Sequence, residues 1–268
     1  MMNILEKIVA QKRIEVVERK ALIPIALLEK SIYFNSPTVS LKSYLLREDK
    51  SGIIAEFKRK SPSKGNINKY AKVDEVTLGY MQSGASALSV LTDEQFFGGS
   101  DNDLKKARKL NYCPILRKDF IIDEYQIIEA RSIGADAILL IASVLSKEEI
   151  IRFSNLAKKL LLEVLLEVHN EKELEKIPNE EVLIGVNNRN LETFEVSLQN
   201  SIDLFPKLPN SVVKVAESGI KTPDDIAMLK KVGYNGFLIG EQFMKTPSPS
   251  KSCRAFIDAI QDQEKKEA

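Results

Sequence analysis

Several short apolar runs in this chain end on side chains that carry charge or bind it. The run at 53–57 holds Glu56 and is followed by Lys58; 114–117 is followed by Lys118 and 161–166 by Glu167. The run at 182–186 is followed by Asn187, with Arg189 two residues on, and 212–216 by Glu217. An ammonium can protonate or polarise a carbonyl oxygen, and a carboxylate can take a proton from carbon, so together these groups offer acid–base chemistry without a metal. Ser218-Gly219 and Gly240-Glu241 follow two of the runs and put glycine where backbone amides can approach an anion such as phosphate. His169 is the only histidine and Cys113 and Cys253 the only cysteines, too few and too scattered for a usual zinc site; neither metal nor cofactor is expected. His169 lies two residues past Glu167 but has no partner histidine or cysteine, and is read as non-catalytic.

For these groups to meet, the runs must be parallel strands ending at one edge. Strand candidates fall at 53–57, 87–91, 114–117, 137–141, 161–166, 182–186, 212–216 and 236–239. Helical patterns lie between and after them, at 73–83, 103–110, 123–133, 147–159, 171–177, 198–205, 224–232 and about 252–260. Eight alternating units predict an α/β fold, a closed (β/α)8 TIM barrel, in which chemistry gathers at the C-terminal strand ends. The glycine-rich dinucleotide fingerprint of an open sheet is absent. Ser146 with Glu149, and Thr222-Pro223-Asp224-Asp225, mark helix starts; Gly84, Gly134 and Gly233 mark helix ends.

A period of two puts Glu56 and Lys58 on one strand face, Lys118 with Leu116, and Glu167 with Leu165. Arg117 and Asp119 alternate away and are expected to pair with the helical layer. Glu163 shares the face of Glu167 but lies about four residues, roughly 13 Å, lower, so it belongs to the bottom of the barrel. Any one of these charges alone reads as a solvated rim residue; the convergence of several argues for a site. Phe97 and Phe120 offer apolar surface near the same edge, and the Lys-, Ser-, Pro- and Gly-rich stretch 60–66 reads as a loop able to cover it.

The whole of 1–268 is read as one barrel domain, with 1–50 as an N-terminal helical extension packed on it. There, 3–20 forms an amphipathic helix with Ile4, Leu5, Ile8, Ile14 and Val17 on one side, followed by a short helix at 25–31 and a loop to Leu45. A net charge of +1 provides no field to attract nucleic acid or a membrane, and no apolar run approaches a membrane span. The N-terminus lacks a secretory pattern, and two distant thiols fit a reducing, cytoplasmic setting. The expected partner is a small phosphorylated, carboxylate-bearing molecule.

Six segments carry a more specific likeness: Ile54-Ala55-Glu56-Phe57-Lys58-Arg59-Lys60-Ser61-Pro62-Ser63; Ser89-Val90-Leu91-Thr92-Asp93 with Phe97-Gly98-Gly99-Ser100; Ile115-Leu116-Arg117-Lys118-Asp119-Phe120; Leu166-Glu167-Val168-His169; Gly185-Val186-Asn187-Asn188-Arg189-Asn190-Leu191; and Ala216-Glu217-Ser218-Gly219-Ile220. In this order, over nearly the whole chain, they resemble the indole-3-glycerol phosphate synthase family of tryptophan biosynthesis. Gly240-Glu241-Gln242-Phe243 departs from the pattern, since the family often has a small residue after the position of Glu241. The resemblance implies a carboxy-lyase that closes the indole ring of 1-(2-carboxyphenylamino)-1-deoxyribulose 5-phosphate with loss of carbon dioxide and water. It implies Lys118 as general acid and Glu167 as base. Lys58 would bind the substrate carboxylate and is an alternative source of the dehydration acid; which lysine serves which step stays open. Glu56 and Glu217 would orient lysines and substrate hydroxyls, with hydrogen bonds from Asn187 and Arg189. Substrate and phosphate contacts would come from Ser61, Ser218, Gly219, Gly240 and Glu241, with Phe97 and Phe120 against the anthranilate ring. A monomer is expected, with contacts to other enzymes of the pathway left open. Phosphoribosylanthranilate isomerase is the rival barrel, but it needs a Cys/Asp pair and Cys113 falls too early in its strand.

Overall fold

The computed structural model describes residues 3–178, 182–191 and 193–267. Eight parallel strands close into a barrel: β1 (Ile53–Phe57), β2 (Ala87–Leu91), β3 (Ile115–Lys118), β4 (Ala137–Ile141), β5 (Glu163–Val168), β6 (Leu183–Asn187), β7 (Lys214–Glu217) and β8 (Gly236–Ile239), with β8 pairing back onto β1. Alternation along each strand sorts the side chains. Ile54, Leu116, Leu165, Val215 and Leu238 meet inside the barrel, while Ile53, Phe57, Leu88, Val90, Ile138 and Leu166 pack under the helices. Two residues beyond four of those inner apolar residues stand Glu56, Lys118, Glu167 and Glu217. The same period that fills the core therefore lays a charged layer on top of it.

The outer helices are α4 (Val73–Gln82), α5 (Asp101–Leu110), α6 (Glu124–Ile133), α7 (Lys147–Lys159), α8 (Gln199–Leu204), α9 (Pro223–Val232) and α11 (Pro249–Glu267), with the short α10 (Glu241–Met244) after β8. Ser146 and Thr222 each make a reciprocal capping box, and Gly134 and Gly233 end α6 and α9 in the left-handed region. The helix expected at 171–177 is instead a 3-10 segment, Glu171–Lys176, which buries none of its residues and so has no packing to extend it. Strands β5 and β7 begin two residues later than expected, β5 after Leu161 turns at a φ of 60°. Among the described residues, no helix is long and apolar enough to cross a membrane.

The N-terminal residues cover both ends of the barrel. In α1 (Ile4–Leu22), capped by Asn3 with Glu6, the buried line is Ile8, Lys12 and Val16. Ile14 and Val17, expected on the packed face, are 54% and 68% exposed. The helix is turned by charge: the Lys12 ammonium is buried against Asp93 (2.9 Å), Asp119 (3.0 Å) and Glu15 (2.7 Å). Arg19 further along pairs with Glu129 (3.0 Å) and Asp101. After α2 (Ile25–Leu28), the stretch expected as a loop to Leu45 contains α3 (Leu41–Leu45), whose Leu41 and Leu45 plug the barrel from below. Glu163 holds it there, accepting from the Ser40 hydroxyl (2.6 Å) and the Lys42 amide (2.9 Å).

Candidate active site

At the C-terminal ends of the strands, the Lys118 ammonium of β3 lies between two carboxylates from β5 and β7, the strands on either side of β6. It is 2.9 Å from Glu167 Oε2 and 3.0 Å from Glu217 Oε2. Burial opposes its charge, but Glu167, Glu217 and Glu56 outweigh that and hold it firmly protonated. Burial likewise opposes ionisation of Glu167, yet Lys118 and His169 hold its carboxyl well below the usual range. Glu217 goes the other way. Burial, with a further push from Glu167, raises it to about 7 against the pull of Lys118. Its second oxygen, Oε1, is buried with no hydrogen-bond partner among the described residues. Just past β1, Lys58 Nζ meets Glu56 Oε1 of that strand at 2.6 Å.

Two glycines make room for these acids. A Cβ on Gly185 of β6 would stand 2.1 Å from Glu217 Oε1, and one on Gly240 2.3 Å from Glu56 Oε1. Any larger residue would displace a carboxylate from the centre.

The charged layer floors a cavity of about 200 Å³ that all fourteen residues singled out above for catalysis or binding border. Ser218 and Gly219 both lie in the left-handed region, at φ 64° and 83°. Asn188 fixes that turn, its Nδ2 donating to the carbonyls of Glu217 and Ser218 at 3.1 Å each. Arg189 Nη2 and Lys64 Nζ stand 3.9 Å from the two oxygens of Glu241, whose half-exposed carboxylate borders the cavity. The rings of Phe97 and Phe120 lie 5.9 Å apart, tilted by 37°. The stretch 60–66 forms a two-residue antiparallel ribbon, Lys60–Ser61 with Gly65–Asn66, at the rim.

Asp119 borders the cavity, but its carboxylate and the Arg117 guanidinium are tied into a buried lattice. Arg117 reaches Glu129 (2.8 Å), Asp101 (3.2 Å) and Asp119 (3.2 Å), and Asp119 accepts from the Thr92 hydroxyl (2.6 Å). This lattice stiffens the strand that carries Lys118. Cys113 sits before β3, at the end away from the mouth, a buried thiol pushed up to about 11.

The family model described as indole-3-glycerol phosphate synthase matches residues 5–256. This chain belongs to the indole-3-glycerol phosphate synthase family. Proteins named indole-3-glycerol phosphate synthase from Bacteroides thetaiotaomicron and Alkaliphilus metalliredigens are 49% and 40% identical to it, each over 97% of this chain and 100% of the relative. Solved barrels share the fold at far lower identity. The tryptophan synthase alpha subunit of Legionella pneumophila is 14% identical, with a TM-score of 0.59 over 83% of this chain and 97% of its own. The 3-hexulose-6-phosphate synthase of Salmonella typhimurium is 12% identical, with a TM-score of 0.62 over 78% and 98%.

In this member of the family, the cavity also takes in residues that no motif in the sequence marks as site residues. Ile4, Leu5 and Ile8 of α1 border it, as do Leu191 and Phe194 beyond β6. The apolar cluster at the start of α1 was visible, but nothing local shows that it reaches the barrel mouth. His169, set aside for want of a metal-type partner, has carboxylate partners instead: its Nε2 lies 3.2 Å from Glu167 Oε1.

Proposed function

We propose that this chain catalyses ring closure of 1-(2-carboxyphenylamino)-1-deoxyribulose 5-phosphate to indole-3-glycerol phosphate, with Lys118 as general acid and Glu167 as base. The observation that carries the reading is the Lys118 ammonium held between Glu167 and Glu217 on the cavity floor. The aromatic carbon that bears the carboxylate must attack a ketone. A firmly protonated ammonium beside that oxygen donates as negative charge builds there. Loss of carbon dioxide and then of water leaves a ring that becomes aromatic once a base removes the last proton, the role of Glu167. Lys58 either holds the departing carboxylate or supplies the acid for dehydration.

Glu217 would orient Lys118 and a substrate hydroxyl, and Glu56 holds Lys58 in place. Asn187 and Arg189 add hydrogen bonds from β6 and its loop. The phosphate would lie against the backbone at Ser218-Gly219 and Gly240-Glu241, with Ser61 near its oxygens. Glu241 would contribute its amide only, because its carboxylate would repel the phosphate. Phe97 and Phe120 would flank the anthranilate ring. A cytoplasmic setting is proposed, since the unpaired thiols of Cys113 and Cys253 fit a reducing compartment. The isomerase reading lacks its acid–base cysteine at the mouth.

Purified protein incubated with the carboxyphenylamino-deoxyribulose phosphate in the presence of a chelator is expected to develop indole absorbance. Absence of that absorbance, with substrate bound, would refute the proposed reaction.

A further inference from the structure

His169 packs against the proposed base from outside the cavity. Its ring is 8% exposed, with Nε2 3.2 Å from Glu167 Oε1 and Nδ1 3.5 Å from Glu173 Oε2 and 3.0 Å from the Ser143 hydroxyl. The contact with Glu167 is an ion pair, out of line for a hydrogen bond. The backbone is pinned from two sides: the His169 amide donates to Glu173 Oε2 (2.7 Å) and its carbonyl accepts from Asn200 of α8 (3.1 Å). The imidazole also borders a second cavity, lined among others by Ser143, Asn170 and Glu173. Its protonation can therefore equilibrate with water while substrate fills the mouth.

The charges facing this pair are few and can be named. Lys118 from β3 takes Glu167 Oε2, leaving Oε1 to His169; Glu217 from β7 faces the same ammonium; Glu173 faces the imidazole from behind; Lys176 is turned to the carbonyls of Ala142 and Leu145. Glu167 thus lies between two cations, one per oxygen. If Lys118 gives its proton to the substrate, the first cation is spent. His169 is then what keeps Glu167 ionised and turned towards the ring.

We propose that His169 is a positioning residue for Glu167: its imidazolium, held by Glu173 and Ser143, orients the base and sets the pH above which it works. This rests on Glu167 being the base. Burial opposes the charge on His169, but Glu167 and Glu173 raise it to about 9, so it is cationic at neutral pH.

Two measurements test the idea. In His169→Gln, which removes the charge, the acid limb of the kcat–pH profile is expected to move up by about one pH unit, the smallest effect usual for an opposite charge at this range. KM should stay within about threefold, since no substrate contact is lost. An unmoved limb, whether or not turnover or stability falls, would reduce His169 to a structural role and overturn the proposal. The second measurement needs no histidine variant. His169 is the only histidine in the chain, so ¹⁵N NMR of tag-free protein reports one imidazole. Its midpoint is expected near 9 in the wild type and lower in Glu167→Gln. A midpoint insensitive to Glu167→Gln would also overturn the coupling. The NMR result stands apart from the base assignment: if Glu167→Gln keeps full chemistry in the bound complex, the base reading fails whatever His169 does.

Discussion

Lys118→Met removes the ammonium that two buried carboxylates share, and it should fail in two separable ways. Without a general acid, kcat is expected to fall by about two to four powers of ten, the usual contribution of a positioned proton donor. The second failure is in stability and depends on pH. Even beside Lys118, burial raises Glu217 above the usual carboxylate range, so keeping it ionised at alkaline pH already works against the fold. A carboxyl whose pKa is raised by folding favours the folded state below its unfolded value and loses that advantage as pH rises through the folded value. With the cation gone, Glu167 and Glu217 both move in this direction. Among the described residues, only His169 then faces Glu167 and no cation faces Glu217, which costs about 3–5 kcal/mol when both are charged and much less once one takes up a proton. The variant should therefore be nearly as stable as wild type at pH 5.5 and about 10 °C lower in Tm at pH 8.5, at about 3 °C per kcal/mol for a chain of this size. Adding Glu217→Gln to Lys118→Met should restore most of the alkaline stability and none of the turnover. Calorimetry across pH and single-turnover kinetics read the two arms. A Tm deficit equal at both pH values would show that the carboxylates do not depend on this ammonium, and turnover within tenfold of wild type would remove Lys118 from the acid role.

Glu167→Gln keeps the shape and hydrogen-bonding capacity of the base but not its proton affinity. Single-turnover rates are expected to drop by about two powers of ten or more with substrate affinity little changed; collapse of affinity with normal chemistry in the bound complex would contradict the base assignment. Gly185→Ala adds a methyl 2.1 Å from Glu217 Oε1, so the carboxylate must swing off Lys118. Turnover should fall at least tenfold while the circular dichroism spectrum stays that of the wild type, and unaltered turnover would show that Glu217 need not hold its place. Lys12→Met leaves Asp93 and Asp119 buried without their shared cation. Tm is expected to fall, and KM to rise as Ile4, Leu5 and Ile8 lose their seat at the cavity; an unchanged KM would mean α1 is only a cover.

The barrel was readable because its two signals are local. Alternation within five or six residues marks a strand, and capping pairs such as Ser146 with Glu149 mark where a helix starts, so neither needs knowledge of distant chain. Where the structure departs from the local pattern, the deciding contact is remote. Lys12 faces inward only because Asp93 and Asp119, some 80 and 110 residues on, wait beneath it, and no property of α1 by itself distinguishes that face from the one carrying Ile14 and Val17. The short α3 was hidden for the same reason. It is too brief to show a period, and it is held by Glu163 on β5 and by the empty bottom of a barrel that first has to close.

The mouth follows the same logic one level up. Once a barrel is granted, residues two beyond an inward apolar side chain must face inward at the top, which is why Lys118, Glu167 and Glu217 could be brought to one place before any distance was known. What period and position do not contain is the balance of charge among them. Two carboxylates on one ammonium leave an excess negative charge in a buried space, and such a space must either admit a proton or import a second cation. The molecule does both: Glu217 is lifted to where it titrates near neutrality, and His169 is drawn in beside Glu167. A histidine judged by metal-ligand spacing looks idle. Judged by the surplus of acid around it, it has a clear electrostatic reason to be there, and electroneutrality of the assembled mouth would have been the better guide to it.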